Sequence, residues 1–572
     1  MLFNGLHGLG AGPGVAAPDR PCFLQPARRV LQLERPAATP NPLRRGAASA
    51  GRNKCLAARL GTCYSEWDMS SYPDDTASQT RPESGAASPL RRLLQFTVIY
   101  GAGEVANNAL AFVLVPVYTR LLTPGQYGVL EVFNRTLEML NIFAAVGIGM
   151  AAMRSYFGRE KGEGGGAVFS TAMAFAVTNS LWMAAALSAA AGLISQLLLG
   201  STLYAWLFRL TFSIVIFEQG FGMVRTYLKT TGRPIFYSVL SVSKYAVTMG
   251  LIICSLLYLG KEVKYVLLAT LAANVAFFVP SAAVLLSRIG FKISWQGLKR
   301  MLAFGLPFVP GGLLLFILNN ADRFLLIAMS GQTEAGLYAL GYRMALVPVM
   351  LLLVPFQAAW GPFMMERGET REGPELFAVV LSYLTAVCCF ASLVLALFAK
   401  EVIGIIAAPS YAQAYRVLPP VLLGYTFWVV SVVLDAGIYI TRRTAWKPLL
   451  LATGAGTNVA LNLLLIPRLG MMGAAYATAA GFLVFVVCTA VVSMRLYHVP
   501  YQWGKVLASI AGAVGLYLIS VAVPVRGGAH VLLRVALALS YFGVLRAAGF
   551  TLERELKFVR EWVGRMRGRG AP

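Results

Sequence analysis

The sequence predicts an all-α polytopic membrane protein with about 12–14 transmembrane helices. Three observations predict it. Apolar residues make up 57% of the 572 residues and charged residues 13%, where a soluble domain carries about 25% charged residues. Mean hydropathy is +0.66. Apolar stretches of about 20 residues, each long enough to cross a roughly 30 Å hydrocarbon layer, recur from Leu93 onward. Length alone would suggest several soluble domains; a dozen apolar stretches in series override that reading.

Residues 1–90 are rich in Pro, Gly, Ala and Arg and carry no sustained period, so they cannot build a core. They read either as a disordered cytosolic tail or as a mis-assigned start ahead of, for example, Met69; an arginine-rich organelle-targeting reading is weaker. Candidate spans follow near 94–118, 128–152, 168–192, 202–222, 235–259, 265–287, 301–321, 334–358, 376–399, 417–437, 446–466, 471–494, 504–523 and 529–548. The last pair is interrupted by Pro524, Arg526 and Arg534. The terminal TLERELKFVREWVGRMRGRG reads equally as a solvated tail or as an interfacial helix with Leu552, Leu556, Val559 and Trp562 on one stripe.

Loop charges alternate. One side receives Arg91 and Arg92, Arg154 and Arg159, Arg225 and Lys229, Arg288 and Lys292, Arg367 and Arg371, then Arg442 and Arg443. The other receives LLLGST, Lys261 and Lys264, Lys400 and Arg468. The positive-inside rule places the first side, and with it both termini, in the cytoplasm. The formal net charge of +24 sits in the N-terminal segment, these loops and the C-terminal end. It therefore points to anionic membrane lipids as partners and not to nucleic acid. The seven cysteines form no CxxC or metal-spaced set, so no disulfide framework, metal site or cofactor is expected.

Charges inside spans mark cavities or pairs, because each costs several kcal/mol in lipid. In LEVFNRTLEMLN, Glu131, Arg135 and Glu138 are spaced four and three apart and share a face. They read as a packing face or a cavity wall. Arg209 and Glu218 on the fourth span point roughly oppositely, while Glu218 shares a face with Arg225. Lys244 lies near the middle of the fifth span. In FILNNADRFLLIAMSG, Asn319 and Arg323 share a face, Asn320 lies beside them, and Asn319 is three residues from Asp322. This set is expected toward the outer half of its span. Arg343 lies fairly deep in the eighth span, Asp435 low in the tenth, and Glu104 in the first beside Asn107 and Asn108. Arg135, Arg209, Lys244, Arg323 and Arg343 outweigh the nearby acids. A cavity with surplus positive charge suits a phosphate-bearing or otherwise anionic substrate, and arginine suits it best. Glu104, Glu131, Glu138, Glu218 and Asp435 are left as ion-coupling or structural groups.

Gly101, Gly103, Pro116, Pro307, Pro310, Pro348, Pro355, Pro419 and Pro420 weaken or kink helices. The turns VYTRLLTPGQYGVLEV and DRFLLIAMSGQTEAGLYAL both run from an arginine through a Gly-containing turn to a tyrosine and a new span. This is a faint echo of two lobes related as parallel repeats.

FVLVPVYTRLLTPGQYGVLEV, GLPFVPGGLLLFILNNADRFLLIAMSGQTEAGLYAL and NLLLIPRLGMMGAAYATAAGF together resemble the polysaccharide-biosynthesis flippases. That family shares a superfamily with the multidrug and toxin extruders and the peptidoglycan lipid flippases. The resemblance covers residues 93–495, with extension to 549 open. It implies a six-helix lobe over 93–289 and another over 296–497 around a central cavity with alternating access. An extra helix pair (502–549) and a basic tail (550–572) follow. It implies a substrate, a polyprenyl-diphosphate-linked oligosaccharide, turned from the inner to the outer leaflet of the bacterial cytoplasmic membrane. The product would feed cell-surface or exopolysaccharide synthesis beside a polysaccharide polymerase. Arg120, Asp322 and Arg323 match the family's recurring positions; Arg135, Arg209, Lys244 and Arg343 rest on span position. No DxD, soluble loop or nucleotide cradle suggests an enzyme. A drug or metabolite exporter of the same fold is the alternative, and a non-transporting scaffold the third reading.

Overall fold

The computed structural model describes residues 89–157, 165–523 and 528–550. The alternatives for the N-terminal segment and the stripe from Leu552 to Trp562 lie outside the described residues. The first helices are α1 (Pro89–Leu121), α2 (Pro124–Ala145), α3 (Ile148–Phe157), α4 (Gly165–Ala189), α5 (Ala191–Leu199), α6 (Ala205–Thr230), α7 (Pro234–Tyr258) and α8 (Val263–Ile289). A short α9 (Trp295–Gly305) links them to α10 (Phe308–Ser330), α11 (Gln332–Arg367), α12 (Gly373–Leu397) and α13 (Ala399–Ile406). The chain ends with α14 (Leu418–Leu434), α15 (Ala436–Ile440), α16 (Trp446–Leu469), α17 (Met471–Leu496), α18 (Trp503–Ala522) and α19 (Gly528–Ala547). Among the described residues there is no sheet, and 13 helices are long and apolar enough to cross a membrane. The 33-residue α1 stands ahead of them. The protein is a multi-pass membrane protein.

Local sequence sets the boundaries. Thr123 caps α2 reciprocally with Gln126, and Pro124 stands at its first position. The span broken by Val146 and Gly147, both at positive φ, continues as α3. The seventh span corrects the sequence reading. Pro307 and Pro310 separate a short amphipathic α9 from α10, so the span covers 308–330 and not 301–321. Asp322 and Arg323 consequently lie inside the membrane-length helix, in its second half as expected, and are buried.

The first lobe packs α4 and α8 against α6, and α1 and α8 against α7. The second packs α16 and α14 against α17, and α10 against α16. Small residues permit these crossings, as where Gly454 and Gly481 meet between α16 and α17. The last pair docks on α12. Tyr541 is fully buried and donates to the Ala386 and Ser509 carbonyls (3.2 and 3.3 Å). Arg534, which interrupts the apolar run of α19, pairs with Glu401 on α13.

The lobes approach most closely where α2 and α11 begin. Gly128 faces the Gln332 carbonyl and Gly336 the Pro124 carbonyl; a Cβ would lie 2.1 and 1.9 Å from those oxygens. Only glycine permits this backbone-on-backbone contact. The two turns that echo each other in sequence therefore lie against one another. Around them the Tyr411 hydroxyl donates to the Leu122 carbonyl (3.0 Å), and Thr119 and Arg120 reach the Ile406 and Ile405 carbonyls (3.5 Å each). A cavity begins directly beyond this seal.

Candidate functional site

The cavity, of about 960 Å³, is lined by α1, α2, α10, α11 and α14. Each element offers it one face. On α2, the three- and four-residue spacing brings Glu131, Arg135, Glu138 and Ile142 into the wall. On α10, Gly312, Leu315, Phe316, Asn319, Asn320 and Arg323 follow the same period. Tyr342 and Arg343 come from α11, Tyr425 and Trp428 from α14, and Asn108 from α1. Polar groups cluster near the seal. Farther along, Phe112, Leu315, Leu346, Met350 and Leu351 make the walls apolar.

The cluster spans both lobes. Glu131 is straddled by two guanidinium groups, with Arg135 Nε at 2.9 Å and Arg323 Nε at 3.6 Å. Both Nε atoms face it at ion-pairing distance without an aligned hydrogen bond. Arg135 Nη1 also donates to Glu138 and to Asn320 Oδ1 (3.2 Å), and Asn320 Nδ2 donates to Glu138 (3.4 Å). Arg343 donates to the Ala111 carbonyl (3.1 Å) and has no carboxylate within 4 Å among the described residues.

Asp322 turns away from the cavity and anchors Arg323 from behind. It accepts from Arg323 Nη1 (2.8 Å), from the Arg323 backbone N–H (2.9 Å), from the Tyr338 hydroxyl and from Thr478 (3.1 Å). Asn458 donates to Thr478 (3.4 Å) and Asn462 to Asn458 (2.9 Å). The Arg323 guanidinium lies 3.8 Å from the Tyr342 ring centroid, and Tyr342 packs edge-on against Tyr425. Asn319 joins through its carbonyl, which accepts from Arg323 and from the Tyr342 hydroxyl (3.2 Å). A buried charge needs this degree of pairing and hydrogen bonding to persist.

The structure thus brings together Arg135, Asn319, Asn320, Arg323, Arg343, Glu131 and Glu138 in the wall, with Asp322 behind. Other expected residues lie elsewhere. Arg209 is exposed and donates to the Ser188 carbonyl (3.3 Å). Lys244 and Glu218 line a separate pocket of about 30 Å³ with Arg225 and Ser241, and the Lys244 ammonium lies 4.6 Å from the Phe221 ring centroid. Asp435 pairs with Lys447 across the turn before α16. Glu104 belongs to α1, its side chain outside the described residues. Arg120, which only the family pattern singled out, belongs to the seal.

The expected cationic surplus is corrected accordingly. Arg135, Arg323 and Arg343 share the wall with two carboxylates, Glu131 and Glu138, so the surplus in the wall is a single charge, and it vanishes once Asp322 behind Arg323 is counted. Helical spacing tells which residues share a face, but not which face turns toward the other lobe. Tyr425 and Trp428 were missed; the aromatic run YTFW in a tenth span was their only signal.

A family model for polysaccharide biosynthesis proteins matches residues 93–367. No curated protein matches the chain in sequence. Among solved structures, the lipid II flippase MurJ in an inward closed conformation superposes with a TM-score of 0.62 at 11% identity, over 79% of this chain and 98% of that one. An inward-facing multidrug resistance MATE family transporter of the MOP superfamily gives 0.51 at 16% identity, over 68% and 94%. A MOP superfamily transporter from Pyrococcus furiosus, described by a reversed polarity of its binding pocket that suggests a different function, gives 0.50 at 16%, over 72% and 96%. The chain has the fold these transporters share: two six-helix lobes around a central cavity, all α.

Proposed function

We propose that the protein moves an amphipathic lipid with an anionic, sugar-bearing headgroup across the membrane: a polyprenyl-diphosphate-linked oligosaccharide, from the inner to the outer leaflet. The observation that carries this reading is the division of the cavity into a charged end and an apolar end. Arginine forks suit phosphate oxygens. Asn319, Asn320 and Tyr342 offer polar contacts to sugar hydroxyls. The apolar walls suit the first isoprenes, while the rest of the tail stays in lipid. The volume lies near the top of the range for ligand sites, about 300–1,000 Å³, which accommodates a headgroup and not a whole lipid. The match to a polysaccharide biosynthesis family supports the same reading.

In this account the cavity faces the cytoplasm, because the sealed end carries the loops poorer in basic residues. Rocking of the lobes would part the α2–α11 contact and expose the charged cluster to the other side. Both termini would lie in the cytoplasm of a bacterial inner-membrane protein, and a polysaccharide polymerase would take the product. A drug or metabolite exporter is the second reading, favoured by the two carboxylates that stand among the arginines of the wall. A scaffold that transports nothing has no use for such a cavity.

Arg343 decides between the first two, since among the described residues it is the wall cation with no carboxylate within 4 Å. In proteoliposomes, Arg343→Ala should lower outward movement of lipid-linked oligosaccharide at least about tenfold, the effect of removing one charged hydrogen bond worth roughly 1.5–3 kcal/mol, with Arg343→Lys intermediate. Undiminished movement at normal protein levels would defeat the reading.

A further inference from the structure

The charge balance of the cavity creates a problem that the structure itself resolves. An anion entering a wall of three arginines, with two carboxylates among them and Asp322 behind, gains little unless one carboxylate yields its place. The three carboxylates are not held alike. Asp322 is fully buried and accepts from Arg323, Tyr338 and Thr478. The Glu131 side chain is 8% exposed and straddled by two arginines. The Glu138 side chain is 49% exposed, faces the cavity, and is held by Arg135 and by one long bond from Asn320. Arg135, itself 26% exposed, keeps its Nε on Glu131 while Nη1 serves Glu138. Its position is therefore fixed whether or not Glu138 stays.

We infer that Glu138 is a built-in stand-in for the substrate's phosphate: it neutralises Arg135 while the cavity is empty, and the incoming anion displaces it. The inference rests on the anionic-headgroup reading and assigns Glu138 a specificity role in it. In the empty protein Glu138 lowers the cost of an exposed guanidinium in a low-dielectric cavity. On binding, a phosphate oxygen takes its place on Arg135 Nη1, and the Asn320 amide that held Glu138 is released to donate to the same anion. The displaced carboxylate remains on the same helix face and repels the bound anion. Release after the lobes rock is thereby favoured by the same group that competed with binding. A cationic cargo would instead be attracted by Glu138, so the sign of its contribution reports the sign of the cargo.

The test is a double-mutant cycle on binding. The full chain in nanodiscs is titrated calorimetrically with farnesyl diphosphate, as wild type, Glu138→Gln, Arg135→Ala and the double variant; tetraphenylphosphonium is the cationic control. Glu138→Gln should bind the diphosphate about tenfold more tightly, equivalent to about 1.4 kcal/mol. The gain should shrink to less than about twofold in the Arg135→Ala background. Outward movement of lipid-linked oligosaccharide should slow as release becomes limiting. Glu138 is half exposed, so folding should tolerate the change; Glu138→Ala serves as a second variant. If wild type binds and Glu138→Gln binds no tighter, this inference fails while the anionic reading stands. An equal gain with and without Arg135 also overturns it, since Glu138 would then act only through general charge. If neither form binds the diphosphate, and Glu138→Gln weakens tetraphenylphosphonium binding, both readings fall.

Discussion

The two ends of the contact between the lobes are built from different materials. At the seal, glycine backbones meet peptide carbonyls, and a tyrosine and a threonine donate to carbonyls across the gap. In the cavity, long ionic side chains reach across: Arg323 to Glu131 at 3.6 Å and Arg135 to Asn320 Oδ1 at 3.2 Å. The first contact is backbone to backbone at its centre, with the Arg120 guanidinium at its rim, and is intolerant of added atoms. The second is ionic and exchangeable, and Asn320 in one lobe serves both members of a pair in the other. The difference teaches that closure depends on shape and recognition on charge, so each can be perturbed with little effect on the other.

The largest effect that would break this comparison is expected at Asp322. Asp322→Ala leaves Arg323 buried with only Glu131, at 3.6 Å and shared with Arg135, as a counter-ion, and removing one partner of a buried pair costs about 3–5 kcal/mol. A large drop in thermal stability in detergent is expected; a change of a degree or less would show that the network does not hold the wall. Next comes Gly128→Ala, which drives a methyl group into the Gln332 carbonyl. Overpacking of this kind costs about 1–3 kcal/mol, and here the cost falls on the sealed state alone. Maleimide labelling of a single cysteine at Asn320 from the outer face should rise, while farnesyl diphosphate binding persists. Unchanged labelling would remove Gly128 from the seal. The smallest effect is expected for Tyr411→Phe, which deletes one interlobe hydrogen bond worth about 1 kcal/mol. It should raise the same labelling less than Gly128→Ala does, and a larger rise would mean that polar bonds and not backbone fit hold the end shut.

Much of this architecture is legible in the sequence. The membrane-length helices follow from hydropathy, and the Glu131–Arg135–Glu138 face from its spacing. Hydropathy starts the seventh span too early because MLAFGLPFVPGG is apolar throughout. Its prolines divide it into an interfacial helix and a span, and hydropathy alone cannot see that division. A charge at mid-span needs a partner, and on that ground the sequence points Arg209 and Lys244 to the cavity; a backbone carbonyl and an aromatic ring meet the need outside it. The pairing of Glu131 with Arg323 joins separate lobes, and no local period reports such a contact. The Gly-containing turns were visible as an echo; that they touch each other is a fact of the assembled lobes.

The end of α9 is pressed into the break between α2 and α3, where a Cβ on Gly305 would lie 2.2 Å from the Val146 carbonyl, and Gly147 takes a positive φ against it. Lys292, just ahead of α9, is likewise held by Ser170 and Thr171 of α4. The connecting segment is thus riveted to the first lobe along its length. Any swing of the second lobe must be taken up at the elbow from Leu306 to Pro310, where two prolines stiffen the joint and restrict its arc.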